Sequence, residues 1–316
     1  MNRGAKLLQM LEQLPTQVSV YEVGLRDGLQ NEAKLIPLVG KKLLCEALVG
    51  CGLRRIELTS FVSPRWIPQL ADADDLVKSC GTLPGVTFSA LCPNSLGLER
   101  AQRAGIREIA VFLSASETHN QKNTGRSIAR SLETFEEIVP LARDASMQVR
   151  AYISTVWGCP YEGKVDPRAA LKLAERLLEI GCYQVSLGDT IGVGTPLQTL
   201  AICRDFLAAF GSPAIALHLH DTRGTALANA LVGLDCGVRT FDTSIGGMGG
   251  CPYAPGAAGN LATEDLVFML EGMGIATEIH LPALIEAARL AERLVGRELP
   301  GKVHKAGLFR PRGQPS

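Results

Sequence analysis

The apolar run "IALHLHDTRG", Ile215 to Gly224, ends in two histidines and an aspartate. Alternate residues of an extended strand share a face, so the imidazoles of His218 and His220 project together while Leu219 and Asp221 face the other way. Two neutral imidazoles on one face can bind one cation. A lone core histidine bonded to a carbonyl is the ordinary alternative; a pair at this spacing beside an acid points instead to ligands. Asp27 can add an oxygen, and the amide of Asn260 a second. Such a mixed nitrogen and oxygen set, with positions left for substrate, favours Mg, Mn or another six-coordinate divalent ion over tetrahedral zinc, and leaves zinc open.

Other polar residues fall where the same chemistry could use them. Arg26, in an "RDG" turn, could hold a developing enolate or a carboxylate. Glu57 and Asp189 could act directly, or could be structural partners that fix Arg26 and the histidines. Glu22 ends the first strand. The stretch "SIGGMGGCPYAPGAAGN" carries Gly246, Gly247, Gly249, Gly250, Gly256 and Gly259. So many glycines allow a loop to move over a ligand as a lid. Cys251 within it could exchange a proton with substrate.

These residues need a scaffold that brings distant segments to one rim. Eight short β-branched or apolar runs start at Val18, Arg55, Thr87, Ile109, Val149, Tyr183, Ile215 and Thr240, with helical patterns such as "PRAALKLAERLLEIG" between them. Such alternation implies a parallel sheet, and eight units in this length suit an α/β fold of the (β/α)8 TIM-barrel type. Polar residues at the C-terminal ends of barrel strands read as an active site, over interiors packed with apolar side chains. The runner-up, a doubly wound open sheet, lacks its G-x-G-x-x-G after the first strand. The expected division is a catalytic barrel over residues 1–275 and a C-terminal helical extension over 276–316, packed on the barrel and ending in a frayed tail.

The 316 residues are 46% hydrophobic and balance 32 basic against 32 acidic side chains. No overall field draws the chain to nucleic acid or to an anionic membrane. No apolar stretch approaches the roughly 20 residues of a membrane span, and the N-terminus is too broken for a signal core. Nine cysteines without a C-x-x-C pair read as reduced thiols, so the expected location is the cytoplasm.

Taken in order, "EVGLRDGLQNE", "IELTSFVSPRWIPQLADA", "GCPYEGKV", "SLGDTIGVGTP", "LHLHDTRGTALAN" and "GGMGGCPYAPGAAGNLATEDLVFMLEGMGI" resemble the hydroxymethylglutaryl-CoA lyase family. The resemblance runs from about Val20 to Ile275. It implies a (β/α)8 barrel that uses Mg or Mn to cleave 3-hydroxy-3-methylglutaryl-CoA to acetyl-CoA and acetoacetate in leucine breakdown. Carried over, Asp27, His218, His220 and Asn260 would be metal ligands, Arg26 would stabilise the enolate, and Cys251 would act in proton transfer. Glu57 and Asp189 fall on further functional acids, and Glu22 and Glu264 on supporting ones. The proton of the C3 hydroxyl could pass to Asp27 or to His218. The implied partner is an acyl-CoA thioester, and a homodimer follows from family habit and an apolar C-terminal helix.

Two positions depart from the family's pattern: Arg223 stands in place of Tyr, and Ala33 followed by Lys34 in place of Lys. They leave open a lyase for a related 3-hydroxy-3-alkylglutaryl-CoA or another hydroxyacyl-CoA. A condensing acyltransferase of the same superfamily would need a longer C-terminal region. A zinc hydrolase with H-x-H would need further histidines on later strands. A non-catalytic barrel that binds metal or acyl-CoA is disfavoured by Arg26 and Cys251.

Overall fold

A computed structural model describes residues 14–250 and 259–308. Its eight parallel strands are β1 (Ser19–Glu22), β2 (Arg55–Ser60), β3 (Thr87–Leu91), β4 (Glu108–Ser114), β5 (Gln148–Ser154), β6 (Gln184–Asp189), β7 (Ile215–Leu219) and β8 (Thr240–Thr243). They close into a barrel in sequence order, β8 returning to β1 with Ser19 opposite Thr240 and Glu22 opposite Thr243. Each expected strand is present within a residue or two of its anticipated span. Helices between strands stop where the sequence supplies a left-handed residue: Gly105, Gly125, Gly181 and Gly237 sit at C-caps with positive φ. The helix Pro196–Phe210 starts in a capping box between Thr195 and Gln198.

The strand interiors are not simply apolar. Tyr21, Glu57, Ser89, Glu108, Arg150, Tyr152, Gln184, Ser186 and Asp242 are all buried. Strand register sets Tyr152 beside Ser186, Arg150 beside Gln184, and His218 beside Asp242. Tyr21 Oη lies 2.6 Å from both Ser89 Oγ and Glu108 Oε1, and Arg150 forms a bidentate pair with Asp242 at 2.5 and 3.1 Å. Buried charge of this kind is tolerated because each group finds a partner. The expected all-apolar filling is therefore corrected. Charge and hydroxyls run down the axis, while the apolar core lies between strands and helices.

After β8, the helix Thr263–Gly272 leads to Ala276, whose carbonyl accepts from Val18 N, so the chain end is stitched to its beginning. The helix Leu281–Val295 then packs its apolar face on the helix Leu38–Gly50, Leu294 meeting Gly40. Most of that face is buried within the chain, and Leu290 and Leu294 stay partly exposed. A last turn, Val303–Ala306, carries the buried His304. Its Nδ1 lies 2.8 Å from Glu264 Oε1 and its Nε2 3.3 Å from Glu292 Oε2, with Asp265, Lys302 and Lys305 close by.

The hydrogen bond to Glu264 holds the His304 pKa above its ordinary value, against the opposing pull of burial, with Glu292 adding to the rise. A raised folded-state pKa contributes stability that is complete below the unfolded value of about 6.5 and is lost as pH rises through the folded value. The gap in urea midpoint between wild type and His304→Gln should accordingly shrink as pH rises above about 6.5 and through the folded value. A gap that is constant or widens would assign the side chain a role in packing alone.

No helix among the described residues is long and apolar enough to cross a membrane. The eight cysteines among them are all free thiols.

Candidate metal centre and active site

The rim at the C-terminal ends of the strands gathers residues from both ends of the chain. Directly after β1, Gly24–Gly28 forms one turn of π-helix, which turns Arg26 and Asp27 back over the barrel mouth. Arg26 Nε donates to Glu57 Oε2 and Nη1 to Asp27 Oδ1, both at 2.5 Å. Tyr152 Oη donates to the same Glu57 oxygen at 3.2 Å, and its ring lies under the Arg26 guanidinium at 5.3 Å.

His218 and His220 do share a face. Their Nε2 atoms are 3.3 Å apart, and Asp27 Oδ2 lies 3.8 Å from His218 Nε2. One ligand atom from each of Asp27, His218 and His220 falls within a 4.8 Å cluster, the arrangement that a cation would bridge. Asn260 is paired to His220 by a backbone bridge, and its Nδ2 donates to Asp27 Oδ2 (2.8 Å) and to the Met248 carbonyl (3.0 Å). Among the described residues, Asn260 Oδ1 is buried without a hydrogen-bond partner, as are Nδ1 of both histidines and Glu57 Oε1. Of these, Asn260 Oδ1 is an oxygen lone pair beside the Asp27 carboxylate, a donor type that suits a hard cation.

The charge states fit a cation. Burial acts to raise the Asp27 carboxyl, but Arg26, both imidazoles and the Asn260 amide together hold it well below the usual carboxylate range. Burial, helped by His218, pushes His220 down to about 4, so it stands neutral with a lone pair free. Burial raises Glu57 against the counter-pull of Arg26.

The remaining sequence candidates separate. Asp189 ends β6, but its carboxylate accepts from the amides of Val193 (3.0 Å) and Gly194 (2.9 Å); it shapes the β6 loop and does not fix Arg26 or the histidines. Burial raises its pKa in spite of those amides. Glu22 lies beneath the rim, taking bonds from Gly24 N, Ile245 N and Thr263 Oγ1, and burial lifts it to about 7. Glu264 accepts from Gly246 N at 3.0 Å. Gly249, at φ +90°, sits where a Cβ would come within 2.7 Å of Asn260 Nδ2, so a side chain there would displace the amide. Arg223 donates to the carbonyls of Ile191 (2.8 Å) and Gly192 (3.0 Å) and so ties two rim loops together. Lys34 reaches away from the rim to the Leu294 carbonyl. Cys251, Gly256 and the C-terminal tail lie outside the described residues.

Sequence reasoning missed Tyr152, Arg150, Ser186 and Asp242. The only signal was polar residues at alternate positions, in "RAY" from Arg150 and in "TFDT" from Thr240.

A closed parallel barrel whose rim brings one carboxylate and two imidazoles together, with an amide bonded to the carboxylate, defines a (β/α)8 enzyme of the kind that works with a divalent cation. The HMGL-like family model matches residues 17–291, and the chain belongs to that family. It is similar to the hydroxymethylglutaryl-CoA lyase of Bacillus subtilis, 49% identical over 288 residues, 91% of this chain and 96% of that one. The crystal structure of a Bacillus subtilis HMG-CoA lyase superposes with a TM-score of 0.91 at 48% identity, covering 93% of this chain and 98% of that chain. An Acinetobacter baumannii HMG-CoA lyase in complex with coenzyme A and 3-methylmalate superposes with a TM-score of 0.90 at 39% identity, covering 95% and 98%.

Proposed function

We propose that this chain is a carbon–carbon lyase that cleaves 3-hydroxy-3-methylglutaryl-CoA to acetyl-CoA and acetoacetate, with Mg or Mn held by Asp27, His218, His220 and Asn260. The observation that carries the reading is the Asp27, His218 and His220 cluster beside a buried arginine, in a chain matched over residues 17–291 by this family. A divalent cation held there supplies electrophilic polarisation of the substrate oxygens.

The protein's own residues do the rest. Of the two candidates Asp27 takes the proton of the C3 hydroxyl, because an imidazole of His218 that gives its lone pair to the cation has none left for a proton; the C2–C3 bond breaks, and its electron pair moves to C2 to form the thioester enolate. C3 becomes the ketone of acetoacetate. Arg26, with Nε and Nη1 committed to Glu57 and Asp27, has Nη2 to offer the enolate oxygen. Protonation at C2 yields acetyl-CoA, and Cys251 is the group assigned to that transfer. Glu57 holds Arg26 in aim, and Asp189 shapes the loop beside it.

Stripping the protein with EDTA is expected to abolish acetyl-CoA release, and adding back Mg2+ or Mn2+ to restore it. Full turnover in the metal-stripped protein would reject the cation, and no turnover of any 3-hydroxyacyl thioester with cation present would reject the lyase. Arg223, tied to Ile191 and Gly192 in place of an aromatic ring, favours testing longer 3-hydroxy-3-alkylglutaryl-CoA thioesters alongside.

The reading includes a barrel over 1–275, an extension over 276–316 and a cytoplasmic homodimer. With most of the Leu281–Val295 face already buried, Leu35, Val39 and Leu43, exposed at a spacing of four, are the better candidate for its contact.

A further inference from the structure

We propose that Asp242, pinned by Arg150 and Ser186, is a positioning residue that sets the tautomer and aim of His218, so that Nε2 is the nitrogen offered to the cation. The inference rests on the cation reading above and extends it to residues that touch neither substrate nor ion. Asp242 lies on β8 directly opposite His218 in register, and its carboxylate Oδ2 is 3.4 Å from His218 Nδ1. No hydrogen bond forms across that contact, and Nδ1 has no other partner among the described residues.

The carboxylate itself cannot turn away. Arg150 grips both its oxygens, at 2.5 Å from Nη2 and 3.1 Å from Nη1, and Ser186 Oγ donates to Oδ2 at 2.5 Å. Arg150 is immobilised in turn: its Nε donates to Gln184 Oε1 at 2.9 Å, and its guanidinium lies 4.2 Å from the Tyr21 ring and 5.1 Å from that of Tyr152.

Only one tautomer of His218 suits this neighbour. With the proton on Nδ1, the N–H is set 3.4 Å from the Asp242 carboxylate that attracts it, and the Nε2 lone pair faces His220 and Asp27. With the proton on Nε2, a lone pair meets a carboxylate at Nδ1 and a hydrogen occupies the place of the cation. A carboxylate behind a metal-binding imidazole fixes ring orientation and raises ligand basicity. Arg150 also serves the other half of the rim, since its Nη1 donates to Tyr152 Oη (3.1 Å), which donates to the Glu57 that holds Arg26.

Two measurements test this, neither of them activity. In the Mg2+-loaded wild type, 15N spectra of the histidine rings, assigned by loss of the signal in His218→Ala, should show His218 protonated at Nδ1; an Nε2-protonated ring overturns the proposal. By electron paramagnetic resonance without substrate, Mn2+ should bind Asp242→Asn about 10- to 100-fold more weakly than wild type. An amide there can donate to Nδ1 and so favours the wrong tautomer.

Asp242→Asn alone leaves Arg150 unpaired in the interior and endangers folding. The double variant Asp242→Asn/Arg150→Met removes both charges and should show the same weakening with an unchanged circular dichroism spectrum. Wild-type Mn2+ affinity in either folded variant overturns the proposal. A wild type that binds no Mn2+ would instead overturn the cation reading, and this inference with it.

Discussion

Arg26→Met is expected to lower kcat for acetyl-CoA release by about a thousandfold or more, with the cation site still able to bind Mn2+. Arg26 is 6% exposed and its guanidinium is anchored by two carboxylates, so in the proposed role it would meet the enolate already aimed, with no reorganisation at the moment of bond cleavage. Methionine keeps the packing and removes the charge, leaving Glu57 buried without its main partner. Arg26→Lys separates charge from geometry. Lysine restores a cation but cannot hold Glu57 and Asp27 while offering a further nitrogen, so its kcat should lie between the two. The assay is thioester turnover at saturating Mg2+. An Arg26→Met enzyme within tenfold of wild type would remove Arg26 from the chemistry.

Arg150→Met is expected to cost about 3–5 kcal/mol of folding stability, seen as a lower urea midpoint. Arg150 and Asp242 are both fully enclosed, and removing one leaves the other as an unpaired charge in the barrel axis. Burial pushes the Asp242 carboxyl up, yet Arg150 and His218 bring it down to about 2, a sign of how strongly the pair is held. Removing both charges together should be much less costly, because methionine and asparagine leave no bare ion behind. A single Arg150→Met variant as stable as wild type would mean that water enters the axis and solvates Asp242.

The barrel was legible because its signals are local. Runs such as "IAVFLS" and "YQVSLG" alternate with amphipathic stretches that end at Gly105, Gly181 and Gly237, and each unit announces itself within about thirty residues. Half of the rim was legible for the same reason, since His218 and His220 share a face by strand geometry alone.

The axial network was not, because its pairs form only on closure. Arg150 and Asp242 are separated by 92 positions, and Tyr152 and Glu57 by 95. In sequence each is one polar residue in an otherwise ordinary strand. Asp189 shows the complementary limit: position at a strand end marked it as a candidate, but only coordinates reveal that its oxygens are taken by the amides of its own loop.

The seam where β8 meets β1 has a bearing on how the molecule comes into being. The imidazoles lie on the seventh strand and directly after it, whereas the carboxylate beside them follows the first, so in an open sheet the three groups stand apart. Under the proposed function, cation binding would therefore report that the first and last strands have met.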